Sequence, residues 1–150
     1  MHHLAQINIS RLKYPVDHPQ IAEFVDNLDY INRLAEKSPG FIWRLKDASG
    51  NATDINPFSD PMIIINMSVW ENVASLKAFA FYTEHIQFMR KRNQWFEKLN
   101  GPNMAMWWIE PRHVPTVEEA KMRLQLLEES GDSPQAFTFK STFDPPAEKV

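Results

Sequence analysis

The alternation of hydrophobic and polar residues at 62–70 has the two-residue period of a β-strand. One face of this predicted strand is wholly apolar and carries Ile63, Ile65, Met67 and Val69. The other face mixes large apolar groups with an amide and a hydroxyl, and it carries Met62, Ile64, Asn66, Ser68 and Trp70. A strand that only completes a hydrophobic core does not need polar groups on its second face. The pattern therefore predicts that the second face lines a cavity.

Residues 4–12 alternate in the same way. The polar face of this predicted strand carries Gln6, Asn8 and Ser10, between apolar residues at 5, 7 and 9. We expect both strands to present their mixed faces to the same side of one sheet.

Two long helices are predicted between the strands. The first begins at Asp17-His18-Pro19, where a capping residue precedes a proline in the first turn, and it ends at Ser38-Pro39-Gly40. The second covers 72–100 and is expected to break near 81–83, where its apolar stripe changes register.

The remaining segments complete the predicted order of elements. Thr116 and Glu119 match a capping box that opens a helix ending near Ser130. Further predictions are strands at 41–46 and 104–109, a turn at 47–51, a loop at 51–61 and a final extended segment at 136–143.

The first six elements follow the strand, helix, strand, strand, helix, strand order of a ferredoxin-like fold. We therefore predict one α+β domain at 1–143, a split β-α-β sheet with an added C-terminal helix, followed by a disordered tail at 144–150. Such a sheet carries its helices on one face, so the face with Trp70 needs another cover. A second copy of the chain is the simplest cover, and we expect a homodimer with a barrel-like interior.

Composition excludes several classes of function. Lys and Arg total 16 against 19 Asp and Glu, and this balance argues against nucleic-acid binding, which needs a basic surface. The chain has no cysteine, so thiolate catalysis and zinc-thiolate sites are excluded. No apolar run approaches the ~20 residues of a membrane span. We expect a cytoplasmic protein without a phosphate-binding glycine loop or a serine nucleophile elbow.

His85 and two asparagines are the candidate catalytic residues. His85 lies in a strongly apolar predicted helix, and it is expected either to pack in the core or to face the cavity as a general base or axial ligand. No second histidine stands at metal-ligand spacing, so no histidine-cluster metal site is predicted. Asn8 and Asn66 are predicted either to hold a carbonyl or oxyanion in the cavity or to bond to each other.

The candidate ligand-binding residues share aromatic, hydroxyl or cationic side chains near these positions. Flat rings suit an aromatic ligand, although they equally fill a core, and an arginine suits a carboxylate or phenolate, although it equally stands on a surface. The set is Trp43, Ser68, Trp70, Phe88, Arg92 and Trp107.

Short motifs over nearly the whole chain resemble one protein family. The motifs are Leu4–Ile9, Ser38–Leu45, Asn66–Glu71, Trp95–Phe96, Trp107–Trp108 and Ala136–Phe139. The family is DUF3291, and the resemblance implies the dimeric α/β barrel fold. That superfamily includes antibiotic-biosynthesis monooxygenases that need no cofactor and monooxygenases that degrade haem.

Both groups of oxygenase resemble the chain at particular residues. The haem-degrading enzymes are similar in an Asn on the first strand, a Trp-Glu pair ending the third and an iron-ligating His on the next helix, matched by Asn8, Trp70-Glu71 and His85. The cofactor-free enzymes are similar in an Asn followed four residues later by Trp, matched by Asn66 and Trp70.

Three functions follow as hypotheses. The first is binding of a flat hydrophobic small molecule, aromatic or polyketide-like, with cofactor-independent oxygenation. The second is haem binding or degradation with His85 as the iron ligand. The third is a ligand-binding or structural dimer without turnover.

Overall fold

The structure, a computed structural model, describes residues 1–46, 58 and 60–147. A 3-10 turn at Pro19–Ile21 precedes the first helix, and His18 caps it by accepting a hydrogen bond from the backbone N–H of Gln20 at 3.0 Å. The elements in chain order are β1 His3–Leu12, α1 Ala22–Glu36, β2 Phe41–Arg44, β3 Ile63–Trp70, α2 Val73–Tyr82, α3 His85–Arg90, α4 Arg92–Trp95, β4 Phe96–Glu97, β5 Met104–Ile109 and α5 Val117–Ser130.

The described strands form one antiparallel sheet with β1 in its interior. The order is β2, β3, β1, β5, and the short β4 pairs with the end of β1 at Arg11 and Leu12. This is the strand order of the predicted ferredoxin-like α+β fold, which is confirmed. Asn8 pairs directly with Asn66 across β1 and β3, so the two asparagines lie side by side on one face.

We call the face of the sheet that carries Gln6, Asn8, Asn66, Ser68 and Trp70 the cavity face. Helices α1 and α2 pack on this face, where Ala35, Leu76 and Phe79 join Leu4, Trp70 and Met106 in one buried cluster. The expectation that a second copy of the chain covers the Trp70 face is therefore wrong. Alternation shows which residues share a face, but both faces carry large apolar groups, so it does not show which face the helices choose.

We call the opposite surface of the sheet the α5 face. Its core contains Ile7, Ile65, Met67 and Trp107, and the α5 residues Ala120, Leu124 and Leu127 pack on it. Both faces of the sheet thus carry helices of the same chain, so no bare face requires a second copy. The homodimer itself stays a prediction.

The predicted break in the second long helix is confirmed. Helix α2 ends where Thr83 adopts an extended backbone with φ −118° and ψ −178°. The Thr83 hydroxyl donates to the Phe79 carbonyl at 2.6 Å and accepts from the His85 N–H at 3.3 Å, so one side chain joins α2 to α3. The helical region ends at Trp95 rather than at residue 100, because Phe96 and Glu97 extend and pair with β1.

Helix α5 begins as predicted, but only half of the expected capping box forms. Thr116 Oγ1 accepts from the Glu119 N–H at 3.1 Å. The Glu119 carboxylate does not turn back to the cap. It accepts from Trp107 Nε1 at 2.7 Å and bonds His113 Nε2 at 2.6 Å, since a tryptophan from the sheet offers it a partner.

The chain after α5 forms isolated bridges instead of the predicted extended strand. Phe137 exchanges two backbone hydrogen bonds with Met106 of β5, at 2.8 and 2.9 Å. The turn predicted at 47–51 and most of the loop at 51–61 lie outside the described residues. Of the predicted tail, the structure describes 144–147, which form no helix or strand. Within the described part of the chain, no helix is both long enough and apolar enough to cross a bilayer.

Candidate functional site

A cavity of about 1370 Å³ opens between the cavity face of the sheet and the helices α1 to α4. Its sheet side includes Gln6, Asn8 and Asn66, and its helix side includes Ile31 and Phe88. The cavity continues around the edge of the sheet toward the C-terminal end of α5. This volume exceeds the ~300–1,000 Å³ of a typical small-molecule site, so a guest would occupy the part above the sheet rather than the whole space.

His85 lines this cavity at the first turn of α3. Its Nδ1 lies 3.1 Å from the Ala80 carbonyl oxygen. Because a carbonyl can only accept, Nδ1 carries the ring proton, and Nε2 of the neutral ring keeps a free lone pair. The structure gives Nε2 no hydrogen-bond partner among the described residues. Burial lowers the pKa of His85 below its ordinary value, and the Ala80 carbonyl only partly opposes this shift. The imidazole is thus neutral at pH 7.

Aromatic packing fixes the side of His85 that faces away from the cavity. The ring lies 4.9 Å from Phe79, and Phe79 stacks on Trp70 at 5.2 Å with 26° between the planes. Phe41 also contacts Trp70, edge-on at 5.4 Å. The imidazole is therefore held by a row of packed rings that begins on the sheet.

The two asparagines present amide groups to the same cavity. Asn66 is exposed, and its Oδ1 accepts from Gln6 Nε2 at 2.8 Å, which leaves its amide hydrogens without a partner in the described structure. Asn8 is half-buried and makes no side-chain hydrogen bond with any described residue. The predicted pairing of Asn8 with Asn66 is absent from the described hydrogen bonds, so both groups remain available to a guest.

Comparison with known proteins identifies the family. The sequence profile described as "Domain of unknown function (DUF3291)" matches residues 3–150. The chain belongs to the DUF3291 family. The family assignment expected from the motifs is therefore confirmed. No curated protein matches the chain.

The fold of this DUF3291 protein is shared with one solved structure, and two further solved structures show a weaker similarity. A protein of unknown function, NE2512 from Nitrosomonas europaea, matches with a TM-score of 0.51 at 18% identity, over 77% of this chain and 97% of that one. PA3566 from Pseudomonas aeruginosa matches with a TM-score of 0.49 at 13% identity, over 75% and 97%. A Streptomyces coelicolor monooxygenase from the gene ActVA-Orf6, solved with Nanaomycin D, has a TM-score of 0.43 at 16% identity, over 77% and 91%.

Five of the predicted site residues of this DUF3291 protein meet in one place. Asn8, Asn66, His85, Phe88 and Arg92 all line the cavity. Arg92 is exposed, and no ion pair or hydrogen bond of its side chain is seen within the described part of the chain. Whether these residues bind a guest stays a prediction.

The four remaining predicted residues do not line the cavity. Trp70 is 1% exposed and sealed between Phe41 and Phe79, and Ser68, 6% exposed, bonds to its indole. Trp43 and Trp107 lie on the α5 face, where Trp107 is fully buried. Ligand packing by these indoles is therefore not expected in this cavity, because Trp70 is enclosed by aromatic rings and Trp43 and Trp107 pack on the opposite face of the sheet.

Sequence reasoning missed two polar residues of the site. Gln6 is 4% exposed and bonds to both Asn66 and Ser68, and Asn32 of α1 is buried at the cavity wall. The sequence carried a signal for Asn32, which shares a helical face with Leu28 and Ala35 and is a polar residue on an apolar stripe. Among the described residues, no group of three or more His, Asp or Glu side chains is placed to hold a metal ion.

Proposed function

We propose that this protein binds a hydrophobic, oxygen-bearing small molecule above the cavity face and oxidises it with O₂ without a cofactor. One arrangement carries the proposal. A neutral imidazole with a free Nε2 shares a cavity with two amide groups that have unused donors, and the surrounding helix walls are largely apolar. A base beside oxyanion-stabilising donors is what enolate chemistry requires.

The reaction needs only the substrate and O₂. His85 Nε2 removes a proton from an activated CH₂ group beside a carbonyl, and amide hydrogens of Asn66 and Asn8 stabilise the enolate oxygen. The carbanion reduces O₂ and forms a C–O bond, and the protonated His85 returns its proton to give a hydroperoxide. Loss of the second C–H proton with cleavage of the O–O bond releases water. One CH₂ and one O₂ thus become one C=O and one H₂O.

The test is oxygen uptake with a hydroxyanthrone as substrate, measured above the rate in buffer alone. His85→Ala is expected to lower the catalysed rate about 100-fold or more, in the range of a lost general base. Asn66→Ala is expected to lower it less. The matched control is Gln87→Ala, an exposed position on the same helix that does not line the cavity. A wild-type rate equal to the buffer rate, or rates unchanged in both variants, would contradict the proposal.

Haem binding is the second candidate, and the tautomer of His85 favours it. A neutral imidazole whose Nδ1–H bonds to a backbone carbonyl offers Nε2 as a metal ligand. Arg92 at the cavity is a cation suited to a propionate. Bound haem would supply redox chemistry, while this chain would hold the macrocycle. A haem titration should give a Soret shift that is lost in His85→Ala and kept in Gln87→Ala; no shift in the wild-type protein removes this candidate.

We also propose a homodimer, now on different grounds. Strand β2 pairs with β3 alone among the described strands, and its Ile42 side chain is 38% exposed. An open strand edge with an exposed aliphatic residue is a surface that proteins commonly cover. Sedimentation equilibrium at micromolar concentration should show a dimer, weakened by Ile42→Lys. A wild-type monomer would exclude this proposal. If the protein is a dimer but shows neither oxygen uptake nor ligand binding, only the hypothesis of a structural dimer remains.

A further inference from the structure

Gln6 connects the two polar groups of β3 that lie beside it. Its Nε2 donates one hydrogen to Asn66 Oδ1 at 2.8 Å and the other to Ser68 Oγ at 2.7 Å. Ser68 Oγ also accepts from Trp70 Nε1 at 2.8 Å. The glutamine amide is therefore tied at two points to the sheet, and through Ser68 to an indole that is itself packed between rings.

These bonds fix the orientation of the Asn66 amide. With Oδ1 occupied by Gln6, Asn66 turns its NH₂ group to the cavity and offers donors there. Gln6 is 4% exposed, so little water competes for this bond. Asn66, in contrast, is exposed on the cavity side and is free to meet a guest.

From this network we infer that Gln6 is a positioning residue that sets the hydrogen-bond polarity of the site. Asn66 then selects guests that present an oxygen acceptor, such as a ketone, quinone or enolate, over guests of the same shape that present an N–H donor. The inference rests on the proposed function in that it names the class of molecule bound at the same cavity. It adds a determinant that does not itself touch the guest's reacting atoms.

The polarity can be tested without any ligand. In ¹⁵N spectra of the wild-type protein, the side-chain NH₂ of Gln6 should exchange slowly with water and that of Asn66 quickly. The two signals are assigned by their loss in Gln6→Met and Asn66→Leu. Slow exchange at Asn66 with fast exchange at Gln6 would mean the opposite polarity and would overturn the inference, whatever the protein does with O₂.

Selectivity is tested with anthraquinone, which has only acceptors, and 2-aminoanthracene, which has a donor, by quenching of tryptophan fluorescence. The wild-type protein should prefer anthraquinone by about threefold to tenfold, the value of one net hydrogen bond. Gln6→Glu replaces the donor with an acceptor, so Asn66 should turn and the preference should fall or reverse. Gln6→Met, of similar size, should remove the preference and keep most of the affinity.

A purely structural role would give a different result. If Gln6→Glu and Gln6→Met weaken both probes by the same factor, Gln6 only supports the sheet, and the inference is wrong. If neither probe binds the wild-type protein, the proposed ligand binding fails and the selectivity with it. The exchange pattern then decides separately whether Gln6 orients Asn66.

Discussion

The two faces of the sheet are built from the same strands and differ in what they leave open. The α5 face is closed by aliphatic residues and Trp107 against one long helix, and the residues at its centre are buried. The cavity face is closed at one end by Trp70 and Phe79 and open at the other around Asn8 and Asn66. The contrast teaches that one sheet can carry a closed core on one face and the cavity of the proposed binding site on the other. Substitutions at neighbouring positions should therefore have unlike effects.

The largest difference is expected between Trp107→Ala and Asn8→Ala, because these residues lie on opposite faces of the sheet. Trp107 is fully buried and bonds to Glu119, so its loss should lower the free energy of unfolding by about 3–5 kcal/mol. Asn8 has no described side-chain partner, and its loss should change stability by less than about 0.5 kcal/mol. Urea unfolding measures both. Equal losses would show that Asn8 is a packing residue and would end the division between the faces.

A smaller loss of stability is expected from alanine substitution of two glycines with positive φ, one on each side of the sheet. Gly40 has φ +85°, and a Cβ there would lie 2.2 Å from Ser75 Oγ of α2. Gly131 has φ +72° at the end of α5, and nothing described lies within 4 Å of its Cβ position. Alanine at Gly131 should cost about 1–3 kcal/mol, because φ +72° with ψ −172° is a backbone conformation that essentially only glycine adopts, and alanine at Gly40 should cost more.

Thermal unfolding of the two glycine variants gives the comparison. The Gly40→Ala/Ser75→Gly variant removes the clashing side chain. It should recover only that part of the stability loss by which Gly40→Ala exceeds Gly131→Ala. If Gly40→Ala is the milder of the two variants, the close approach of α2 to the α1–β2 turn is not a constraint.

The N-terminal cap of α5 should contribute less to stability than either glycine. Thr116→Ala removes the bond to the Glu119 N–H and should destabilise by about 1 kcal/mol. Thr116→Ser keeps the acceptor and is the matched control. Because Thr116 lies at the opposite end of α5 from the residues that line the cavity, neither variant should change ligand affinity. A loss of affinity in Thr116→Ala without unfolding would mean that the two faces are coupled.

The smallest expected effect is the contribution of His85 to the pH dependence of stability. The pKa of His85 is lowered in the folded protein by burial, so below the ordinary value of about 6.5 the unfolded chain binds the extra proton. Stability should therefore fall as pH drops below about 6.5, down to the folded pKa. His85→Phe should show a shallower fall in urea midpoint between pH 7 and pH 5. A steeper fall in the variant would mean that His85 gains its proton on folding.

Much of this contrast follows from periodicity in the sequence. Alternation in 62–70 places Asn66 and Trp70 on one face, and the change of stripe near 81–83 gives the break that starts α3 at His85. Local patterns do not show which face of the sheet each helix covers, so the predicted ligand-binding set includes Trp43 and Trp107, which the structure places on the α5 face. Glu119 shows in the same way that local patterns omit tertiary partners. Its partner Trp107 lies on a strand of the sheet, which local capping rules do not consider.

The position of α5 after all of the described strands has a consequence during synthesis. The sheet is complete once β5 has been made, yet its α5 face stays bare until residues 117–130 have left the ribosome. Nascent domains with exposed apolar strands are prone to aggregate. A chain stalled just before Thr116 would thus expose the apolar α5 face, and we expect it to aggregate more readily than the chain that includes α5.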